Sequence, residues 1–347
     1  MQHGGDIYRN NVEYDFSVNI NPLPIPEKII KAMQASLTDV KHYPDACCQE
    51  LREKLEKYTG ISKECILVGN GASELIMHVF MALKPKCVFM ETPSFSEYRR
   101  AALAAGAHIV SINERASCED KIKALSDNHA DMLVLARPNN PTGYMEDEGE
   151  FYKLLDYCDE HGIAVLLDEC FYSLSIRAKD EYYSSLVTTE RLKASENLIV
   201  LRAFTKCYGI PGVRLGVAFI GGRAIRDKIN MTLPQWNVSM MAQRVGMACL
   251  ESPEYVEAYR RLIETEGPRM CDFLRKSGFV VYESSTCFIL FRSEVELYGG
   301  LLEKGILIRD CANMISEEGY FYRIAIKTAG ENEILMDAIE EILNEQN

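Results

Sequence analysis

Leu198-Ile-Val-Leu-Arg-Ala-Phe-Thr-Lys206-Cys-Tyr-Gly-Ile-Pro-Gly-Val-Arg214-Leu-Gly216 is the stretch on which the reading of this chain turns. Its first four residues are all apolar and two of them are β-branched, the pattern of a strand buried on both faces. A second such run, Leu215–Ile220, follows a Pro-Gly-rich turn. Lys206 lies just past the end of the first strand and Arg214 eight residues further on. In an open α/β sheet ligands bind at the carboxyl ends of strands, so a lysine there is poorly explained as a solvated surface charge.

Outward from this segment the same punctuation recurs. Strands are predicted at Cys65–Val68, Cys87–Met90, His108–Ile112, Met132–Ala136 and Ala164–Leu167, with amphipathic stretches such as Ala72–Leu83 and Glu148–His161 between them. Alternation of this kind predicts an α/β fold, a three-layer, mostly parallel seven-stranded sheet covered by helices on both faces. After Pro234-Gln-Trp236 a long helical run, roughly Ser239 to Ser277, precedes strands at Phe279–Tyr282, Cys287–Phe291 and Tyr322–Ile326 and a closing helix at Glu331–Asn344. The expected organisation is an irregular arm over 1–25, a large domain over 41–240, and a smaller α+β domain made from 26–40 and 241–347.

Composition narrows the function. A net charge of −13 argues against nucleic acid, whose phosphates need a basic face. No stretch reaches the ~18 apolar residues that span a bilayer. The twelve cysteines form no CxxC pair and are scattered, often inside apolar runs, which reads as buried thiols in a reducing cytoplasm rather than disulfides or a metal site.

Three further segments supply chemistry. Val68-Gly-Asn-Gly71-Ala72-Ser73-Glu74 is a glycine-bearing turn into a helix, where backbone amides and the Ser73 hydroxyl can meet a phosphate; an ordinary βα loop is the alternative. Asp168 ends an apolar strand, where its carboxylate can hold a pyridinium proton or simply cap a helix. Pro138-Asn-Asn140-Pro141-Thr142-Gly143 is a turn that presents the Asn140 amide to a ring hydroxyl, or to nothing. Arg214 can clamp a phosphate bidentately. Lys206, if desolvated, forms an imine and is later released as a base. With Thr205 beside it, the set describes a pyridoxal 5′-phosphate site; neither a GxGxxG loop nor a P-loop is present.

On these motifs the chain resembles the class I/II aminotransferase superfamily over nearly its whole length, in particular its histidinol-phosphate aminotransferase and threonine-phosphate decarboxylase branches. The resemblance implies the aspartate-aminotransferase-like fold. It makes Lys206 the catalytic Schiff-base lysine and Asp168 the partner of the pyridine nitrogen, and it sets Asn140 at the ring oxygen. Gly71, Ala72, Ser73, Thr205 and Arg214 then hold the cofactor phosphate, and Phe95 stacks on the ring. Arg323, in Tyr320-Phe-Tyr-Arg323-Ile-Ala-Ile, grips the substrate carboxylate. Tyr43, in His42-Tyr43-Pro44-Asp45, reaches across the interface of a homodimer. Two positions depart from the pattern: Phe171 replaces a tyrosine common in relatives, and Ala203 replaces a serine or threonine.

His3-Gly4-Gly5, Asp15-Phe-Ser-Val-Asn19-Ile-Asn21-Pro22 and Ile308-Arg309-Asp310-Cys311-Ala-Asn313 resemble the decarboxylase branch. That resemblance implies an amino acid substrate carrying a phosphate. Arg309 would take the phosphate, assisted by His3, with Asn21 also at the substrate. A surface salt bridge from Arg309 to Asp310 or Glu303, and a terminal histidine without a ligand, are the other readings. Decarboxylation of threonine or serine phosphate is the expected activity. Transamination of histidinol phosphate is the alternative, and a catalytically idle cofactor-binding module is a remote one.

Overall fold

The structure, a computed structural model, describes residues 4–178, 185–315 and 317–345. Seven strands form the large sheet: β1 (Ile66–Gly69), β2 (Cys87–Thr92), β3 (His108–Asn113), β4 (Met132–Ala136), β5 (Ala164–Asp168), β6 (Leu198–Ala203) and β7 (Gly216–Ile220). Their spatial order is β1-β7-β6-β5-β4-β2-β3. All neighbours are parallel except β7, which runs antiparallel to both β1 and β6.

Strand periodicity explains the three layers. On β4, Leu133 and Leu135 join one apolar cluster while Met132, Val134 and Ala136 join the other. Strands β5, β6 and β7 divide in the same way, with Val165, Val200 and Phe219 on one side and Leu166, Ile199 and Ala218 opposite. Successive side chains point to opposite faces, so a continuous apolar run needs cover on both. The register aligns Ala136 with Asp168, Asp168 with Leu201, Ala203 with Gly216, and Gly216 with Gly69. One edge of the sheet therefore carries the ends of all four predicted motifs.

A second, antiparallel sheet has the order β10-β11-β9-β8, from β8 (Val280–Val281), β9 (Phe288–Ser293), β10 (Arg309–Asp310) and β11 (Tyr320–Ala325). The long helical run expected before it is two helices, Met240–Leu250 and Pro253–Lys276. Pro253 is the reason. It lacks an amide hydrogen for the preceding turn and suits the first position of a new helix. The helix Glu27–Ser36 packs on Met240–Leu250.

The arm is less irregular than its sequence suggests. Tyr14–Asp15 pairs in parallel with Ile306–Leu307, and Phe16 is fully buried. The Phe16 amide donates to the Leu307 carbonyl at 2.7 Å, and the Phe16 carbonyl accepts from the Ala325 amide at 2.9 Å. Among the described residues no helix is long and apolar enough to cross a membrane.

Candidate functional site

At the sheet edge lies a cavity of about 230 Å³ walled by both sheets and the arm. One end is built for an anion. Gly71, at φ +81°, turns the chain into the helix Ala72–Leu83, whose first residues line the cavity. A Cβ on Gly71 would stand 2.4 Å from Arg214 Nη2, and one on Gly216 would stand 2.5 Å from the Ala72 amide nitrogen. Glycine at both positions thus lets a guanidinium and a helix N-terminus converge. Arg214 has no carboxylate partner among the described residues; its Nη1 donates only to the Pro211 carbonyl at 3.2 Å. Open amides and a free cation together suit a phosphate. Thr205 and Ser73 complete this wall.

Between this end and the far wall lies a slot bordered by Phe95, Ala136 and Asp168. Asp168 is buried and anchored twice: Oδ2 accepts from Tyr98 Oη at 2.7 Å and Oδ1 from the Cys170 amide at 2.8 Å. Burial, and then the Asp168 charge, push the Tyr98 hydroxyl well above its ordinary pKa, so it stays a donor. Phe95 meets Tyr98 edge-on at 5.6 Å. Lys206 reaches the slot from the turn after β6, its Nζ 6.0 Å from the Phe171 ring centre. Burial, reinforced by Arg323 and Arg214, lowers the pKa of its amine.

The third region is cationic. Arg309 and Arg323 lie directly opposite each other on β10 and β11, and both are nearly buried, at 5% and 6% exposure. Arg323 donates to Asn140 Oδ1 and, from Nη2, to the Ser17 carbonyl at 2.8 Å. Arg309 Nη2 donates to Asn313 Oδ1 at 2.7 Å. Every one of these acceptors is neutral. Burial, with Arg309 facing it, pushes the Arg323 pKa down to about 10. Asn140 is held firmly, because its loop rests on buried ions. Arg137 grips Glu91 through two bonds of 2.7 and 2.9 Å, and the Thr142 hydroxyl donates to Glu114 at 2.7 Å.

Lys206, Thr205, Ala72, Ser73, Phe95, Asn140, Asp168, Arg214, Arg309 and Arg323 all line this one cavity. Gly71 stands behind Arg214 without lining it. Asn21 does not reach the substrate space. Its Nδ2 donates to the Cys207 carbonyl at 3.0 Å, its Oδ1 accepts from the Leu23 amide, and its own amide donates to the Lys206 carbonyl at 2.9 Å. It braces the lysine turn instead. Tyr43 is 77% exposed and stacks on Trp236 at 4.6 Å, away from the cavity of its own chain. His3 lies outside the described residues. Tyr98, Ser17 and Asn19 line the cavity without having been singled out from sequence. For Tyr98 a signal exists: it lies in the first turn of the helix Ser96–Ala104, three residues after its N-cap Phe95.

The residues fit pyridoxal phosphate. The pocket offers a cation and helix amides for a phosphate, a buried carboxylate for a ring nitrogen, an apolar wall for a ring, and an amine of lowered pKa between them. The family model for aminotransferase class I and II matches residues 12–339. Threonine-phosphate decarboxylase of Salmonella typhimurium is 32% identical over 95% of this chain and 91% of its own length. Histidinol-phosphate aminotransferase of Caldanaerobacter subterraneus is 29% identical, over 96% of this chain and 95% of its own. Among solved structures, histidinol-phosphate aminotransferase from Clostridium acetobutylicum superposes with a TM-score of 0.85 at 29% identity, covering 96% of this chain and 99% of that one.

Proposed function

Because this chain belongs to the pyridoxal-phosphate-dependent class I and II aminotransferase family, we propose that it decarboxylates an O-phosphorylated amino acid, threonine phosphate or serine phosphate. The observation that carries this reading is the facing pair Arg309 and Arg323. Two buried guanidiniums have only neutral acceptors among the described residues, an arrangement that favours a ligand with two anionic groups. A carboxylate on Arg323 and a phosphate on Arg309 satisfy both.

Bound between Asp168 and Arg214, the cofactor supplies an electron sink for the bond that breaks at Cα. Asp168, fixed by Tyr98 and Cys170, holds the proton on the ring nitrogen. Lys206 would hold the cofactor and, with its amine freed by substrate, would be the group placed to return a proton to Cα. Arg323 and Arg309 would hold the substrate at its two ends and so would fix its rotation about Cα. With a neutral amine at Lys206 and a different rotation, the same groups would remove the Cα proton, the first step of amino transfer. A dicarboxylic amino donor would also fill both guanidiniums, which sustains transamination as a second reading.

A homodimer belongs to this proposal. Tyr43 and Trp236, with Leu37, Val40 and Met231, are large apolar side chains exposed on one chain, and a second copy is their natural cover. A cytoplasmic setting accounts for twelve free cysteines.

The test is a substrate panel offered to the cofactor-loaded protein: O-phosphothreonine, O-phosphoserine, and histidinol phosphate with 2-oxoglutarate. Release of CO₂ from a phosphorylated amino acid is expected. Amino transfer to 2-oxoglutarate without CO₂ would overturn the reading in favour of the second.

A further inference from the structure

Glu114, the residue after β3, is 2% exposed yet does not line the cavity. Its backbone is fixed on both sides. The amide donates to the Thr92 carbonyl at 3.1 Å, and the carbonyl accepts from Lys121 Nζ at 2.7 Å. A buried carboxylate is costly unless it is hydrogen-bonded. Here both donors come from one loop: Oε2 accepts from the Thr142 hydroxyl at 2.7 Å and from Asn139 Nδ2. Arg115 Nε, 3.8 Å from Oε1, is too far for a hydrogen bond. Burial pushes the Glu114 pKa above its ordinary value despite the bonds from Asn139 and Thr142. Its surroundings therefore use an acceptor oxygen more than they stabilise a charge.

The loop it holds meets the substrate wall. Asn139 is followed by Asn140, whose Oδ1 accepts from Arg323 Nη1. Asn139 Nδ2 also donates to the Pro93 carbonyl at 2.8 Å, two residues before Phe95. One buried side chain thus ties together the turn that orients Arg323 and the turn that brings Phe95 to the slot. Removing it leaves the buried Thr142 hydroxyl without this acceptor and loosens the loop beneath Asn140.

We propose that Glu114 is a positioning residue for the substrate α-carboxylate: by anchoring Asn139 and Thr142 it fixes Asn140, and through Asn140 the guanidinium of Arg323. This rests on the amino acid substrate of the proposed function. A binding group is only as well placed as the side chains that lock it, so the effect reaches the cavity from a residue outside it. Both donors are neutral, so what the loop requires at position 114 is the oxygen.

The test uses two pairs of ligands that differ only by the α-carboxylate: O-phosphothreonine with 1-aminopropan-2-yl phosphate, and glutamate with 4-aminobutyrate. Each is mixed with cofactor-loaded wild type, Glu114→Ala, Glu114→Gln and Thr142→Val, and binding is read from the change in cofactor absorbance. Melting of the cofactor-free proteins records any structural loss separately. The preference for the amino acid over its amine should fall about tenfold in Glu114→Ala and about threefold in Thr142→Val. Glu114→Gln, which keeps an oxygen for both donors, should stay within about twofold of the wild type. The double variant should be no worse than Glu114→Ala, because both substitutions break one contact. An unchanged preference in Glu114→Ala, whatever its melting temperature, would make the residue structural and overturn the assignment. A Glu114→Gln variant as impaired as Glu114→Ala would overturn it as well. If the wild type binds glutamate and releases no CO₂ from O-phosphothreonine, the decarboxylase reading fails, while Glu114 is still judged on the glutamate pair.

Discussion

Arg309→Met separates a ligand-binding charge from a structural one. The guanidinium is 5% exposed and faces Arg323 across an antiparallel pair, and its Nη2 donates to Asn313 Oδ1. Like charges directly opposite on neighbouring strands oppose folding, and replacing a buried charge by an apolar side chain of similar length is often neutral or stabilising. The cofactor-loaded variant should therefore melt no lower than the wild type, although Asn313 loses a donor. Binding should respond in the other direction. Truncating one partner of a buried, charge-assisted contact costs about 2 kcal/mol or more. At about 1.4 kcal/mol per decade, that is roughly thirtyfold in KM for a phosphorylated substrate. An unphosphorylated analogue never meets Arg309, so its KM should move by less than about threefold. Initial rates of product formation with both substrates, together with a melting curve, read the two effects. Equal KM increases for the two substrates would refute the assignment of the phosphate to Arg309. A large fall in melting temperature would make it structural.

The pKa of Lys206 gives a pH signature. Burial and the neighbouring arginines depress it in the folded protein, so below the folded value the cofactor-free fold carries the full cost of a buried charge. That cost drains away as pH rises from the folded pKa towards the ordinary lysine value. Lys206→Met should raise the melting temperature of the cofactor-free protein most at neutral pH and progressively less in alkali; a gain independent of pH would contradict the sign. Tyr98→Phe removes the 2.7 Å donor from Asp168 and leaves the Cys170 amide. About 1.5 kcal/mol lost from a charge-assisted bond should lower kcat about tenfold with KM nearly unchanged, and an unaltered kcat would remove Tyr98 from the site.

The sheet was legible because most of its strands are apolar runs ended by glycine, proline or a charge, and the cavity residues at their carboxyl ends were legible for the same reason. What escaped is what periodicity does not encode. The antiparallel entry of β7 between β1 and β6 depends on pairing, and no feature of Leu215–Ile220 taken alone specifies a direction. The sequence places Asn21 at the substrate, whereas it is Asn19 that lines the cavity. Two positions apart in an extended chain they would share a face, but the Ile20 amide bonds the Val18 carbonyl at 3.1 Å, and this tight turn breaks the alternation. Asn21 swings onto backbone while Asn19 stays on the cavity. Tyr43 shows a different limit, since the role proposed for it depends on a second copy of the chain, and one copy shows only an exposed ring on Trp236. Arg309 and Arg323 show the opposite case. Their separation of fourteen residues is plain in the sequence, but a salt bridge from Arg309 to Asp310 or Glu303 fits that spacing equally well. Only the pairing of β10 with β11 sets the two guanidiniums face to face, with neutral acceptors in place of carboxylates. Two like charges kept in that position favour an anion between them, and that preference is the physical link from this sheet to the proposed substrate.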